Sequence, residues 1–303
     1  KSSAHLLKHD SVHGLFPGDI KVSENAIDIG SGPIRVTAER DPAKLPWKEL
    51  GVEIVMECTG IFTAKDKASL HLTAGAKRVL VSAPADGVDL TVVYGVNHDK
   101  LTKDHKVVSN ASCTTNCLAP VAKVLNDAVG IEKGFMTTIH SYTNDQNLLD
   151  NYHSKYRRGR SAALNMVITE TGADKAVAKV LPGLAGKLTG NAVRVPTPDV
   201  SLAILNLQLK KDANKETINE AMRHAALHGD LVEQIQFAVS NELVSTDLVG
   251  NPCASIFDSQ ATIVGKDSKS AVLYVWYDNE YGYTAQVIRL AKHLADVRRL
   301  VYY

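Results

Sequence analysis

The chain has 303 residues, with 34 Lys and Arg against 33 Asp and Glu and a formal net charge of +1. That balance speaks against a chain-wide field for nucleic acid or for an anionic membrane. Four cysteines, no apolar run near the ~18 residues of a spanning helix and no signal-peptide order at the start lead us to expect a soluble, cytoplasmic protein without a disulfide framework.

This length suits two domains. In chain order, residues 51–56 read as a buried strand stopped by Thr59-Gly60, and 65–74 as a helix with Gly75 as its stop signal. Residues 77–82 form the next apolar run, ended by Ala83-Pro84, and 90–94 and 106–108 are two more. Strand, helix, strand in this rhythm predicts a parallel sheet with crossover helices. After Thr114 the period becomes helical. Leu118, Val121, Val124, Leu125 and Ala128 make one apolar stripe that ends at Gly130. Residues 134–140 read as a strand, and 151–165, with Arg157, Arg158 and Arg160, as a loop. The partial alternation of 200–209 predicts a half-buried antiparallel strand. A helix over 216–227, a buried strand over 271–276 and a terminal helix over 284–297 complete the pattern. The first third is α/β and the middle α+β, with a boundary near Ser112.

The run Ser109-Asn110-Ala111-Ser112-Cys113-Thr114-Thr115-Asn116-Cys117 puts a cysteine where a strand meets a helix. Free N–H groups and the partial positive charge of a helix start stabilise a thiolate there. The alternative is a structural cysteine with Ser112 or Thr114 as the cap. Cys117, one turn on, reads as a core residue. Zinc is not expected, because the cysteines lack a second ligand pair nearby. His140 follows Cys113 by one helix and one returning strand, a spacing that can form an activated Cys–His pair. The segment Thr169-Glu170-Thr171-Gly172-Ala173 opens a helix and can bind an anion. Arg194 is a lone cation in an apolar strand, either paired with a buried carboxylate or aimed at a ligand anion. Two glycine patterns fail as nucleotide loops. No helix follows Gly30-Ser31-Gly32-Pro33, and the segment Gly183–Thr189 has the wrong spacing, with Leu188 after Lys187.

Taken together, these motifs resemble the phosphorylating glyceraldehyde-3-phosphate dehydrogenase family. The likeness runs from the Cys113 run through Thr138-Ile139-His140 and Arg194-Val195-Pro196-Thr197-Pro198 to Trp276-Tyr277-Asp278-Asn279-Glu280-Tyr281-Gly282-Tyr283. It implies a Rossmann-type doubly wound nucleotide domain, N-terminally truncated, over 1–112. An α+β catalytic domain with a mostly antiparallel sheet comes next over 113–276, and 277–303 return to the nucleotide domain. Cys113 would be the nucleophile, and His140 would lower its pKa and move the proton. Thr143 and Arg194 would hold the substrate phosphate. Ser112, Thr114, Arg158, Thr171 and Gly172 would hold inorganic phosphate. Arg40, Thr59 and Ser82 would line the adenosine side of the NAD groove, with Asn279 at the nicotinamide and Tyr283 nearby. The implied substrate is glyceraldehyde 3-phosphate, and the implied assembly a homotetramer. Erythrose-4-phosphate dehydrogenase, with the same nucleophile, is the rival reading.

Two segments depart from the family pattern. Residues 5–14 are similar to the stretch that, in the family, comes after an opening strand, a Gly-x-Gly-x-x-Gly turn, a helix and an acidic ribose ligand. These residues by themselves are therefore expected to bind NAD weakly, and a truncated chain without cofactor-dependent activity is a further alternative. Asn151-Tyr152 stands where NAD-specific members carry an apolar residue and proline. NAD is still expected, because no basic or Ser/Thr cluster suits the extra phosphate of NADP.

Overall fold

A computed structural model describes residues 2–297. Residues 298–303, the end of the segment expected to return to the nucleotide domain, lie outside the described residues.

Four short strands, Ile54–Glu57, Arg78–Val81, Val107–Ser109 and Leu90–Thr91, pair in that spatial order, all parallel. Successive side chains of a strand point to opposite faces, and the packing follows this rule. Val79, Val81 and Val107 meet Ala68 and Leu72 on one face. Leu80, Val92 and Val108 meet Val287, Leu290 and Leu294 of the terminal helix Tyr281–Leu294 on the other. The sheet is therefore covered on both sides, as a parallel sheet requires. The helix expected over 65–74 is two short pieces, Lys65–Ala68 and Leu70–Thr73. They break at Ser69, whose hydroxyl bonds back to the Lys65 carbonyl (2.6 Å).

Ahead of this sheet, short antiparallel strands occupy residues 9–35. Gly30 and Gly32 sit at the tip of the hairpin joining Ala26–Asp28 to Pro33–Arg35, where Asp28 Oδ1 accepts both of their N–H groups (2.8 and 3.2 Å). That carboxylate fills the place a phosphate would need.

The second sheet has seven strands in the order Val167–Thr169, Leu188–Val195, Ile131–Ser141, Ser201–Leu209, Ser270–Tyr277, Ser255–Asp258 and Ile235–Ala238. An eighth, Ile263–Val264, pairs with Ser270–Tyr277. Five of the pairings are antiparallel and two parallel. Helices Cys113–Ala128, Ala173–Val180 and Lys215–Leu227 cover one face and form the largest core, with Leu118, Val121, Leu125, Val177, Ile218, Leu205 and Leu273 inside. Cys117 belongs to this core and is fully buried. The 151–165 loop contains one 3-10 turn, Tyr156–Gly159, which exposes Arg157 and buries Arg158.

Candidate active site

Cys113 is the first residue of its helix. Ser112 caps that helix by accepting the Thr115 N–H (3.2 Å), a contact worth about 1 kcal/mol. The entry turn is strained, because Ala111 has φ 56, a left-handed conformation that costs a non-glycine residue. Three contacts hold it. The Ser109 hydroxyl accepts the Ala111 N–H (3.0 Å), Tyr283 donates its hydroxyl to the Ala111 carbonyl (2.9 Å), and Asn116 Nδ2 donates to the Asn110 carbonyl (2.7 Å). Tyr283 thus supports the nucleophile turn from the terminal helix.

His140 lies near the end of the strand Ile131–Ser141, directly opposite Arg194 in the neighbouring parallel strand. Its Nε2 is 3.6 Å from Cys113 Sγ. Its Nδ1–H donates to the Ser141 carbonyl (2.7 Å), which leaves Nε2 as the acceptor facing sulfur. Arg194 donates to the same carbonyl (3.2 Å) and to Thr143 Oγ1 (3.0 Å). No carboxylate pairs with Arg194 among the described residues, and its Nε is buried without a partner. Of the two alternatives for this arginine, pairing with a buried carboxylate is not seen among the described residues.

Burial pushes the Cys113 thiol up, against the opposing pull of the Thr114 hydroxyl, the first-turn N–H groups and the Arg194 charge. Burial, with the charges of Arg194 and Arg158, lowers His140 to about 4. Both shifts penalise a lone charge. Burial thus opposes the lowering of the thiol pKa that is expected from His140. Moving the proton from Sγ to Nε2 creates two opposite charges side by side and leaves the net charge unchanged.

Arg158 is buried and committed on three sides. It pairs with Asp145 and donates to Thr169 Oγ1 (2.9 Å) and, more weakly, to the Glu170 carbonyl (3.4 Å). It therefore fixes the segment that leads to Thr171 and Gly172. Gly172 is the exposed N-cap of Ala173–Val180, and Thr171 Oγ1 accepts the Ala173 N–H (3.2 Å).

Tyr277 carries no sequence signal of its own as a site residue, although it lies inside the Trp276–Tyr283 motif. Its fully buried hydroxyl joins Thr114 (2.9 Å) to Thr138 (2.6 Å), and its ring meets His140 edge-on at 5.9 Å. The nucleophile helix and the histidine strand are thus fastened through one phenol. Tyr277→Phe strands two buried threonine hydroxyls and is expected to cost about 1–3 kcal/mol in urea unfolding. An unchanged midpoint would remove Tyr277 from this framework.

The cofactor positions divide. Thr59 and Ser82 follow the C-terminal ends of parallel strands, the edge where such sheets bind nucleotides. Buried Glu57 accepts from the Thr59 N–H (2.8 Å) and hydroxyl and pairs with His71 (2.9 Å), which in turn accepts from Trp47 (3.0 Å). Sequence reasoning had no signal for that chain. Arg40 is exposed in an irregular connection and shares no hydrogen bond with Thr59 or Ser82 among the described residues. Asn279 is buried, and its Oδ1 accepts from Ser201 Oγ (2.7 Å). Ser201 Oγ also accepts the Ser141 N–H (3.1 Å). Fixing Oδ1 leaves the Asn279 amide N–H groups to meet a carboxamide oxygen, so the residues present fit the nicotinamide end of a dinucleotide.

Residues 112–279 match the family model described as the glyceraldehyde 3-phosphate dehydrogenase C-terminal domain, and residues 1–65 the model of its NAD binding domain. A glyceraldehyde-3-phosphate dehydrogenase from Xanthobacter flavus is 60% identical over 284 residues, 94% of this chain and 84% of that protein. One from Zymomonas mobilis is 52% identical over 97% of this chain and 87% of its own length. Glyceraldehyde-3-phosphate dehydrogenase 1 from Bacillus subtilis is 52% identical over 96% of this chain and 87% of its own. No helix among the described residues is long and apolar enough to cross a membrane.

Proposed function

The chain belongs to the glyceraldehyde-3-phosphate dehydrogenase family, and on that premise we propose that it oxidises and phosphorylates D-glyceraldehyde 3-phosphate to 1,3-bisphosphoglycerate with NAD, a step of glycolysis and gluconeogenesis. The observation that carries the residue assignment is Cys113 Sγ at 3.6 Å from His140 Nε2, beside an arginine with no carboxylate of its own.

Arg194 and Thr143 hold the substrate phosphate and bring the aldehyde carbon to Cys113. His140 Nε2 accepts the thiol proton as sulfur attacks, giving a hemithioacetal. The Cys113 N–H and the imidazolium stabilise the developing oxyanion. NAD, when bound, supplies the hydride acceptor, with Asn279 at its carboxamide and Thr59, Ser82 and Arg40 along the adenosine side. The imidazolium then returns its proton to that oxyanion, which completes the hemithioacetal hydroxyl and frees Nε2. Oxidation requires loss of this hydroxyl proton, and the neutral His140 Nε2 takes it. The resulting thioester is cleaved by inorganic phosphate held by Ser112, Thr114, Thr171 and Gly172. Arg158, already committed to Asp145, acts there by fixing the loop and adding positive charge.

Residues 1–112 serve as the nucleotide domain, 113–276 as the catalytic domain and the segment from 277 as the returning arm. The enzyme works as a cytoplasmic homotetramer. Support for subunit contact comes from exposed apolar side chains, Leu148, Leu149, Tyr152 and Tyr156 on the loop and Phe135 and Ile263 on the sheet.

The test is NADH formation by this chain with glyceraldehyde 3-phosphate or erythrose 4-phosphate, each with and without phosphate. Faster turnover of the triose and dependence on phosphate beyond the first turnover are expected. Phosphate-independent steady turnover, or preference for the tetrose, would overturn the reading. Arg194→Ala is expected to raise KM for the phosphorylated triose by roughly 100-fold while leaving turnover of unphosphorylated glyceraldehyde nearly unchanged. Equal losses on both substrates would argue against phosphate binding by Arg194.

A further inference from the structure

The structure assigns a divalent-cation site of the zinc class to His13, Asp199 and Asp278, three side chains outside the catalytic set. His13 Nε2 lies 3.4 Å from Asp199 Oδ2 and 3.8 Å from Asp278 Oδ2, and the three ligand atoms all lie within 4.8 Å of one another. A cation about 2.0–2.2 Å from each donor requires separations of that order.

Two of the three donor atoms have no partner beyond the ion-pair contacts within this cluster. His13 Nε2 and Asp199 Oδ2 are buried without a hydrogen-bond partner, and the Asp199 side chain is 0% exposed. A buried polar atom left unpaired is costly, and a ligand is the ordinary remedy. His13 and Asp199 are already held on their opposite sides, and Asp278 on both of its oxygens. Asp10 Oδ1 meets His13 Nδ1 (3.2 Å), the carboxylate–histidine arrangement that orients a metal-binding imidazole. Asp199 Oδ1 accepts the Val200 N–H (2.7 Å). Asp278 accepts from Gly250, Glu280 and Tyr281 N–H groups (2.8, 2.9 and 2.7 Å).

Charge points the same way. Asp10, Asp199, Asp278 and Glu280 gather around one imidazole, and no Lys or Arg pairs with any of them among the described residues. One imidazole and two carboxylates suit Zn²⁺ or Co²⁺, whereas Ca²⁺ and Mg²⁺ prefer all-oxygen shells of higher number. His13, with 22% of its side chain exposed, marks the open side for entry and a water ligand.

The site would be structural. His13 comes from the N-terminal hairpin, Asp199 lies two residues before Ser201, and Asp278 immediately precedes Asn279. A cation here would clamp the hairpin to the two turns that carry the Ser201–Asn279 contact.

The experiment titrates Co²⁺, then Zn²⁺, into this chain after Cys113 has been blocked with iodoacetamide, which removes the competing thiolate. One equivalent is expected to bind with the visible spectrum of oxygen and nitrogen ligation and to raise Tm by several degrees. Asp199→Asn and His13→Ala should each weaken binding at least ~10-fold without changing the far-UV spectrum. Should Asp199→Asn fail to fold, His13→Ala on the surface hairpin decides. No binding, unchanged binding in a folded variant, or a sulfur-to-cobalt charge-transfer band would overturn the assignment.

Discussion

Cys113→Ser is expected to lower NADH formation by roughly 10⁴-fold or more while leaving the far-UV spectrum and unfolding midpoint close to those of the parent. The large effect comes from chemistry, since a hydroxyl is a far weaker nucleophile than a thiol. The small structural effect comes from position. Among the described residues the polar contacts of Sγ are with His140 and, at 4.0 Å, the Thr114 hydroxyl, while the entry turn is held by Ser109, Tyr283 and Asn116 and the helix start by the Ser112 cap. Substantial residual turnover in the serine variant would end the assignment of Cys113 as nucleophile.

His140→Asn should lower kcat by about 10²–10⁴-fold and slow iodoacetamide alkylation of Cys113 at neutral pH. Burial already disfavours a lone thiolate here, so the thiol depends on a nearby proton acceptor. An unchanged alkylation rate would argue against that coupling. The same residue carries a stability signature. Its folded pKa of about 4 lies below the ordinary 6.5, so the unfolded chain binds the proton more readily. The neutral imidazole therefore contributes fully above pH 6.5, and the contribution is lost as pH falls toward 4, on the order of 3 kcal/mol. Urea unfolding at pH 7 and pH 4.5 should show that part of the acid sensitivity in the parent and not in His140→Asn.

Much of the site was legible because its signals are local. A small-residue turn, a cap at Ser112 and an apolar stripe to Ala128 locate Cys113 at a helix start. One helix and one returning strand bring His140 back to it. The alternation in 200–209 reads out the face buried beneath the helices. The helix expected over 65–74 was misjudged in its continuity, since a serine hydroxyl competing for a backbone carbonyl leaves the apolar period unchanged.

By itself, the sequence determined which residue types stand at which element ends, because capping, periodicity and turn chemistry act over a few residues. Only the tertiary structure decided which charges find partners. Arg158 is neutralised by Asp145 and Arg194 is not, though both are arginines in the same neighbourhood of the fold. Tyr277 meets Thr114 across 163 positions, and His13 meets Asp199 and Asp278 from the other end of the chain. Those contacts depend on how two sheets and their helices dock, and electrostatics in a buried seam depends on distance and solvent exclusion, neither of which has a period in the sequence.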